Sequence, residues 1–432
     1  MRYGLATILA VMVVASAGIM AQEEAPIVRM IRAYGGTIEF RPPVVAIEGP
    51  NSINSPEIAQ RFATVEFDVS ASNIPNVYVR VIHCNADWTE STNGFLNDVT
   101  NRTSLVDWTL APARSRYYQY RGKLRVPNEQ LVLRFPGNWK VRVYDLDTDS
   151  MLAETRMFVV LPMAVATMNF MTDFYQPANR VSGIALTLET VVKADPSRLL
   201  DNFVHTAVCY RNNRWREPFI ASQRYRSRPT APSASSNVVG MLAGGKVFRV
   251  DRIPAENEYR ILDLSSAGMF PSTGAPVRMP FSDQRRNGQF AQRADDGAMS
   301  TAGVSSIDDE YIPLEFLLDP APGRPSENDV FVVGSFNSWQ ADRTWQMYYD
   351  ESLRLYRLRQ WVRRGRHNYM YATGTVNADD GTLRDVTFEE FEGNTASAGH
   401  GFVSFVYAQM QEYGGYDGIV AVTTSNIYQS GR

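Results

Sequence analysis

The stretch "VYVRVIHCNADW", Val77 to Trp88, ends in a crowded cluster: His83, Cys84, Asp87 and Trp88 fall within six residues. An imidazole, a thiol and a carboxylate so close together are the parts of a metal site, or of a cysteine nucleophile with its base. A metal ion needs three or four converging ligands, usually with His or Cys in paired spacings. His83 and Cys84 are direct neighbours, and neighbours on a strand point to opposite faces, so both would ligate one ion only where the strand breaks. The other histidines, His205, His367 and His400, are isolated in sequence. Cys84 as a nucleophile would need a base such as His205 or His367, and nothing local supplies an oxyanion loop. The residues favour a structural role. Val81 and Trp88 pack, while His83, Asn85 and Asp87 bond to backbone where the strand ends.

Other catalytic patterns are missing: there is no phosphate loop, HExxH, GxSxG or EF-hand loop. The carboxylates of "FEEFEG" (Glu389, Glu390, Glu392) suggest the acid pair of a glycosidase. Glu390 and Glu392 would share one strand face, which reads as solvated surface. The two cysteines, Cys84 and Cys209, lie far apart and are read as buried thiols, with a disulfide as the alternative. No cofactor or metal is implied.

A further aromatic group stands near the C-terminus. In "DVFVVGSFNSW", Asp329 to Trp339, a strand runs into Gly334, Phe336 and Trp339. This resembles the opening of the carbohydrate-binding modules associated with glycogen-processing enzymes, small β-sandwiches that stack sugars on exposed aromatics. The stacking candidates are Trp339, Trp345 and Trp361, with Arg343. The packing alternative puts Trp339 and Tyr369 in the sandwich core.

The elements that must position these residues are strands. "ATVEFDVS" sets Val65, Phe67 and Val69 on one face and Glu66 and Asp68 on the other, the period of a half-buried strand. "VYVRVI" repeats it. "GNWKVRVYD" and "TRMFVV" flank the turn "DLDTDS" as a hairpin. Polar turns separate the strands and no amphipathic helix intervenes, so an all-β fold of two or three immunoglobulin-like sandwiches in tandem is expected. The 432 residues suit two to four domains. We expect a first sandwich over 22–162, a middle β-rich domain over 163–281, a linker or surface loop over 282–306 and a last sandwich over 307–432. In the middle domain "FRVDRIPAENEYRILDL" reads as two strands around a turn, and the Pro/Ser-rich stretch Ser227 to Asn237 as a loop. A net charge of -3 gives no basic excess to suggest nucleic acid. Arg2, an apolar run from Leu5 to about Ile19, and Glu23 and Glu24 have the layout of a signal peptide, 1–21, cleaved after Ala21. An exported chain with no later span able to insert in a membrane is expected.

Taken together, the motifs resemble a known family. "VIHCNADW" is similar to that family's "IIHCDADW" signature, and "YYQYRGKLRVPN", "GNWKVRVYD" and "TRMFVV" follow in its order. "VFVVGSFNSWQADRTWQMYYDESLRLYRLRQWVRRGRHNYMYA" is similar to its C-terminal module. The family is the plug protein of the type IX secretion system of the Bacteroidetes lineage. Asn85 stands where the family usually has Asp. The resemblance implies a non-enzymatic periplasmic protein that docks on the outer-membrane translocon barrel and seals it when no substrate is exported. It also implies that His83, Cys84, Asp87, Trp88, Gly334, Phe336 and Trp339 are structural. The second reading is an exported carbohydrate-binding protein that uses the last module.

Overall fold

Alternating β-branched, aromatic and charged residues favour pleated strands, and the computed structural model of the chain is built almost wholly of them. It describes residues 25–52, 57–175, 183–226, 231, 233–242, 245–286, 295–321, 324–377, 382–395 and 398–427. The signal-peptide reading of 1–21 lies outside these. Among the described residues no helix is long and apolar enough to cross a membrane.

The first sandwich pairs Ile27–Gly35, Ala63–Ser70, Tyr120–Val126 and Asp107–Leu110 in one antiparallel sheet. Facing it, Val77–Cys84 pairs with Gly137–Asp145, which pairs with Met151–Val160. Val65, Phe67 and Val69 meet Val79, Val81, Val141 and Val143 between the sheets. The hairpin expected around "DLDTDS" is Gly137–Asp145 with Met151–Val160.

That second sheet does not stop at the edge of the sandwich. Val160 pairs in parallel with Ile419 of the strand Tyr416–Ile427. From there the sheet continues through His400–Met410, Val204–Arg211 and Pro218–Ser222, making ten strands shared by two sandwiches. Ala164–Tyr175, Gly183–Ala194, Gly245–Pro254 and Ser235–Leu242 cover its far half and close the second sandwich.

The third sandwich is inserted into the second. Gly245–Pro254 and Arg260–Asp263 do not pair with each other as expected, because Arg260–Asp263 crosses over to pair with Arg366–Val376. Arg366–Val376 also pairs with Asp329–Gly334 and Leu383–Thr387. The opposing sheet holds Tyr311–Asp319, Leu355–Arg363 and Tyr348–Asp350. The chain then returns to the second sandwich through His400–Met410, and a bridge between Glu256 and Asn394 ties the outgoing and returning segments. Strand pairing thus separates the last hairpin from the rest of 307–432. The hairpin is buried on both faces: Phe402, Val406 and Ala408 lie in one core and Val403, Phe405 and Tyr407 in another.

Two stretches read as loops carry structure. Ser235–Leu242, at the end of the Pro/Ser-rich stretch, is a strand, while 227–230 and 232 lie outside the described residues. Of 282–306, residues 287–294 lie outside them. Asp283–Gln284 adds to the third sandwich, Met299 is buried, and Ser300 bridges to Arg366.

Candidate functional site: two junctions between the sandwiches

Val77–Cys84 ends at a tight turn. Asn85 N–H donates to Thr89 O at 2.8 Å, Trp88 N–H donates to Asn85 O at 2.9 Å, and Asp87 Oδ1 accepts from Thr89 N at 3.0 Å. Trp88 sits in the left-handed region with φ 68°. As strand alternation requires, His83 and Cys84 face opposite ways. The His83 ring packs edge-on against Trp139 (5.1 Å) and Tyr416 (5.5 Å), with Nε2 3.1 Å from Pro136 O. Gly137 has φ 143°, and a Cβ there would overlap the His83 ring.

Cys84 and Trp88 enter a core on the other face of the shared sheet, where the first two sandwiches meet. There Trp88 Nε1 donates to Tyr210 Oη at 2.7 Å, Phe158 stacks on Phe405 at 4.0 Å, and the Arg156 guanidinium lies 4.3 Å from the Trp88 ring centroid. Polar side chains lock the rim. Asn138 Nδ2 donates to Asn85 O (2.9 Å), Tyr407 Oη donates to Asn138 Oδ1 (2.6 Å), and Ala86 N–H donates to Asp417 Oδ2 (3.0 Å). Burial alone would raise Asp417, but hydrogen bonds from Tyr225 and the Ala86 N–H, with the His205 ring alongside, hold it below its ordinary value.

Burial pushes His83 down to about 4, so its ring is neutral at neutral pH, and pushes the Cys84 thiol up to about 12. Cys209 is also raised by burial; both thiols are free, and they lie in different cores, Cys84 in the junction and Cys209 in the second sandwich. Among the described residues no group of three or more His, Cys, Asp or Glu is arranged to hold a metal ion.

A second junction, invisible to motif reading, joins the first sandwich to the third. Glu66 and Asp68, expected on a solvated face, are fully buried. The register sets Glu66 opposite Lys123 and Asp68 opposite Arg121 on the next strand. Arg121 Nε donates to Asp68 at 2.6 Å and Lys123 Nζ lies 2.7 Å from Glu66. Arg32 reaches Glu66 at 2.8 Å and Glu39 at 2.5 Å. From the third sandwich come Arg363, which contacts Glu66 and bonds Asp309 at 3.0 Å, and Tyr311, whose Oη donates to Asp68 at 2.9 Å. Asp309 in turn contacts Arg121. Burial would raise Glu66, yet Arg32, Arg363 and Arg121 hold it well below the carboxylate range; Asp309 is lowered likewise, chiefly by Arg363 against its own burial. The opposite-sign cross-strand pairs were readable signals, but nothing in the sequence points Glu66 to Arg363.

The remaining candidates are spread over the third sandwich. Trp339 is 3% exposed, packs on Tyr259 at 4.5 Å and donates Nε1–H to Gly297 O at 2.8 Å. Trp345 is buried and stacked on Phe336 at 4.5 Å. Trp361 is half-buried and stacks on Tyr117 of the first sandwich at 5.3 Å, while Arg343 is exposed. These rings make no exposed row. Gly334 is needed for close packing, since a Cβ there would lie 2.5 Å from Asn368 O. Of the acid cluster, Glu389–Glu392 is a short helix rather than a strand, and Glu392 is buried against Arg260 at 2.8 Å. A strand-face pairing of Glu390 and Glu392 therefore does not occur.

Residues 43–162, which carry one side of both junctions, match the family model described as the type 9 secretion system plug protein 1st domain. The first domain belongs to the type 9 secretion system plug family. The matched span covers the HCNADW turn and both of its own sheets except Ile27–Gly35, the edge strand that carries Arg32. No curated protein matches the chain. Among solved structures, a crystal structure of a hypothetical protein from Parabacteroides merdae ATCC 43184 is similar at 18% identity and a TM-score of 0.67, covering 92% of this chain and 97% of its own. That likeness extends the shared fold beyond the plug domain to the three-sandwich arrangement. The BSP domain of a biofilm-associated protein aligns at 7% identity over 93% of this chain and 58% of its own, with a TM-score of 0.15 that carries no weight. The fold of the chain is all-β, and the match over 43–162 supports a type IX secretion-associated role with an envelope-associated location. In the plug domain the HCNADW turn has a definite place: it fills the seam with the second sandwich.

Proposed function

We propose that this protein is a non-enzymatic periplasmic component of type IX secretion that docks on the periplasmic end of the outer-membrane translocon barrel and closes it between export events. The observation that carries this reading is the plug-domain match over residues 43–162. The two junctions support it. A body that must occlude a wide pore works by shape, so its domains have to resist rearrangement, and both junctions bury side chains from the plug domain against a neighbouring sandwich. The chemistry is in keeping: the His83–Cys84 pair is a neutral imidazole and a protonated thiol on opposite sides of one sheet.

The test is affinity purification of the tagged chain from detergent-solubilised outer membranes of its own organism, with mass spectrometry of what accompanies it. The reading predicts one very large β-barrel protein, lost when residues 22–162 are deleted and the remainder is shown to be folded. Recovery of the protein alone, with retention on immobilised α-glucan, would overturn it.

A further inference from the structure

A cleft of about 90 Å³ opens where all three sandwiches meet. The first supplies Arg156, the second Trp215 and Arg216, and the third Ser335 and Ser338. Two of these five are arginines, and neither has a carboxylate partner among the described residues. Arg156 donates Nη1–H to the Trp215 carbonyl at 3.0 Å and lies over the Trp88 ring; Arg216 donates Nη2–H to the Glu154 carbonyl at 3.2 Å. Backbone carbonyls offer partial charge but do not neutralise a cation.

The nearest acids are committed elsewhere. The Glu154 carboxylate is held by Arg142 at 2.7 Å, with Lys140 at 3.9 Å. Glu39, on the wall of the same cleft, is held by Arg32 at 2.5 Å and by the N–H and hydroxyl of Thr301, both at 2.6 Å. Arg32 is itself matched by Glu39 and Glu66. The surplus at the cleft is therefore the pair Arg156 and Arg216. Burial lowers the proton affinity of both, and for Arg216 the neighbouring Arg156 lowers it further, as repulsion between two partly desolvated cations requires. Elsewhere in this molecule buried arginines are paired: Arg363 with Glu66 and Asp309, Arg260 with Glu392, and Arg214 with Glu217 and Glu256. A guanidinium presents a planar fork of donors that matches an oxyanion two bonds at a time; Ser335 and Ser338 line the same cleft, with the Ser335 hydroxyl bonded to His367 Nδ1 and the Asn368 N–H.

We infer that this three-way cleft is an oxyanion site, holding one carboxylate or phosphate group between Arg156, Arg216 and the serine side. The cleft has room for such a group. An ion seated there contacts all three sandwiches at once, so its binding is linked to their arrangement.

The purified full chain is melted at pH 7 and constant ionic strength while sodium chloride is replaced by sodium phosphate or, separately, by sodium acetate. The expected result is a saturable rise in Tm with at least one of the two. A response to phosphate alone assigns a phosphate-type ligand, and a response to acetate as well assigns carboxylates. Arg216→Gln should melt no lower than the parent in chloride, since it removes an unpaired charge, and should weaken the response at least tenfold in concentration. Arg216→Lys, which keeps the charge but loses the fork, should fall between, and serves if the glutamine variant does not fold. No saturable response in the parent, or an equal response in both variants, overturns the inference.

Discussion

The two junctions of the plug domain solve the same problem with opposite chemistry. Toward the second sandwich the seam is aromatic and nearly uncharged, with Trp88, Phe158, Tyr210 and Phe405 packed ring to ring, the Trp88–Tyr210 hydrogen bond buried among them and further hydrogen bonds along the rim. Toward the third it is ionic: Glu66, Asp68 and Asp309 are interleaved with Arg32, Arg121 and Arg363. An apolar seam gains from every methylene removed from water but tolerates sliding. A buried ionic seam gains little net energy, because desolvation offsets most of the attraction, yet each misplacement strands a charge. The first contributes adhesion and the second register. The ionic seam also falls where there is no shared sheet to align the partners, whereas the apolar seam has the parallel pairing of Val160 with Ile419 to do so.

The largest effects should come from breaking either seam at its centre. Trp88→Ala leaves a void among aromatic rings and strands the Tyr210 hydroxyl and the Arg156 guanidinium. A loss of about 3–5 kcal/mol is expected in urea unfolding at neutral pH. Arg363→Ala leaves Glu66 and Asp309 short of countercharge, at a cost of about 3–5 kcal/mol. Its signature differs, because most of that loss should be recovered by adding Glu66→Gln, and a double-mutant cycle measures this directly.

Acid separates the buried histidines from the ionic seam next. His83 is held down to about 4 from an ordinary 6.5, so the unfolded chain binds more protons between those values. Stability associated with His83 is complete above pH 6.5 and falls as pH drops toward 4, by about 2 kcal/mol between 6.5 and 5. His367 and His400, also lowered by burial to about 4 and about 3, act in the same direction, while Glu258, raised to about 7 chiefly by burial, opposes them above its unfolded value. His83→Gln should flatten this slope. The ionic seam responds later: Glu66 and Asp309 are depressed, so their contribution is present above the ordinary carboxylate range and is lost only as pH falls below it. Unfolding curves from pH 7 to 3 should show the two phases in that order. The smallest effect is expected from Lys123→Ala. Its side chain is 47% exposed and Glu66 keeps its arginines, so the change should stay within about 1 kcal/mol.

The sequence was most readable where structure is local. The hairpin around "DLDTDS", the opposite facing of His83 and Cys84 and the backbone-bonding turn that follows depend on neighbours a few residues apart. It was misleading wherever a charged face met another domain instead of water. Glu66 and Asp68 alternate with Val65, Phe67 and Val69 as solvent-facing residues would, and the pattern is the same whether the opposing medium is water or Arg363. The hairpin His400–Ile427 failed for the converse reason: with both faces apolar it had no period to say which sheet it joins. The crossing of Arg260–Asp263 into another sandwich is a long-range pairing that no short window contains.

The central claim, that this molecule acts by occupying a pore, is tested most directly by electrical conductance of the purified type IX outer-membrane barrel in a planar bilayer, with the protein added on the periplasmic side. The account predicts that conductance falls to a closed level at saturating protein, and that Arg363→Ala and Trp88→Ala, at temperatures where both remain folded, close the pore less completely. Conductance unchanged by the parent protein, under conditions where binding to the barrel is independently detected, would contradict it.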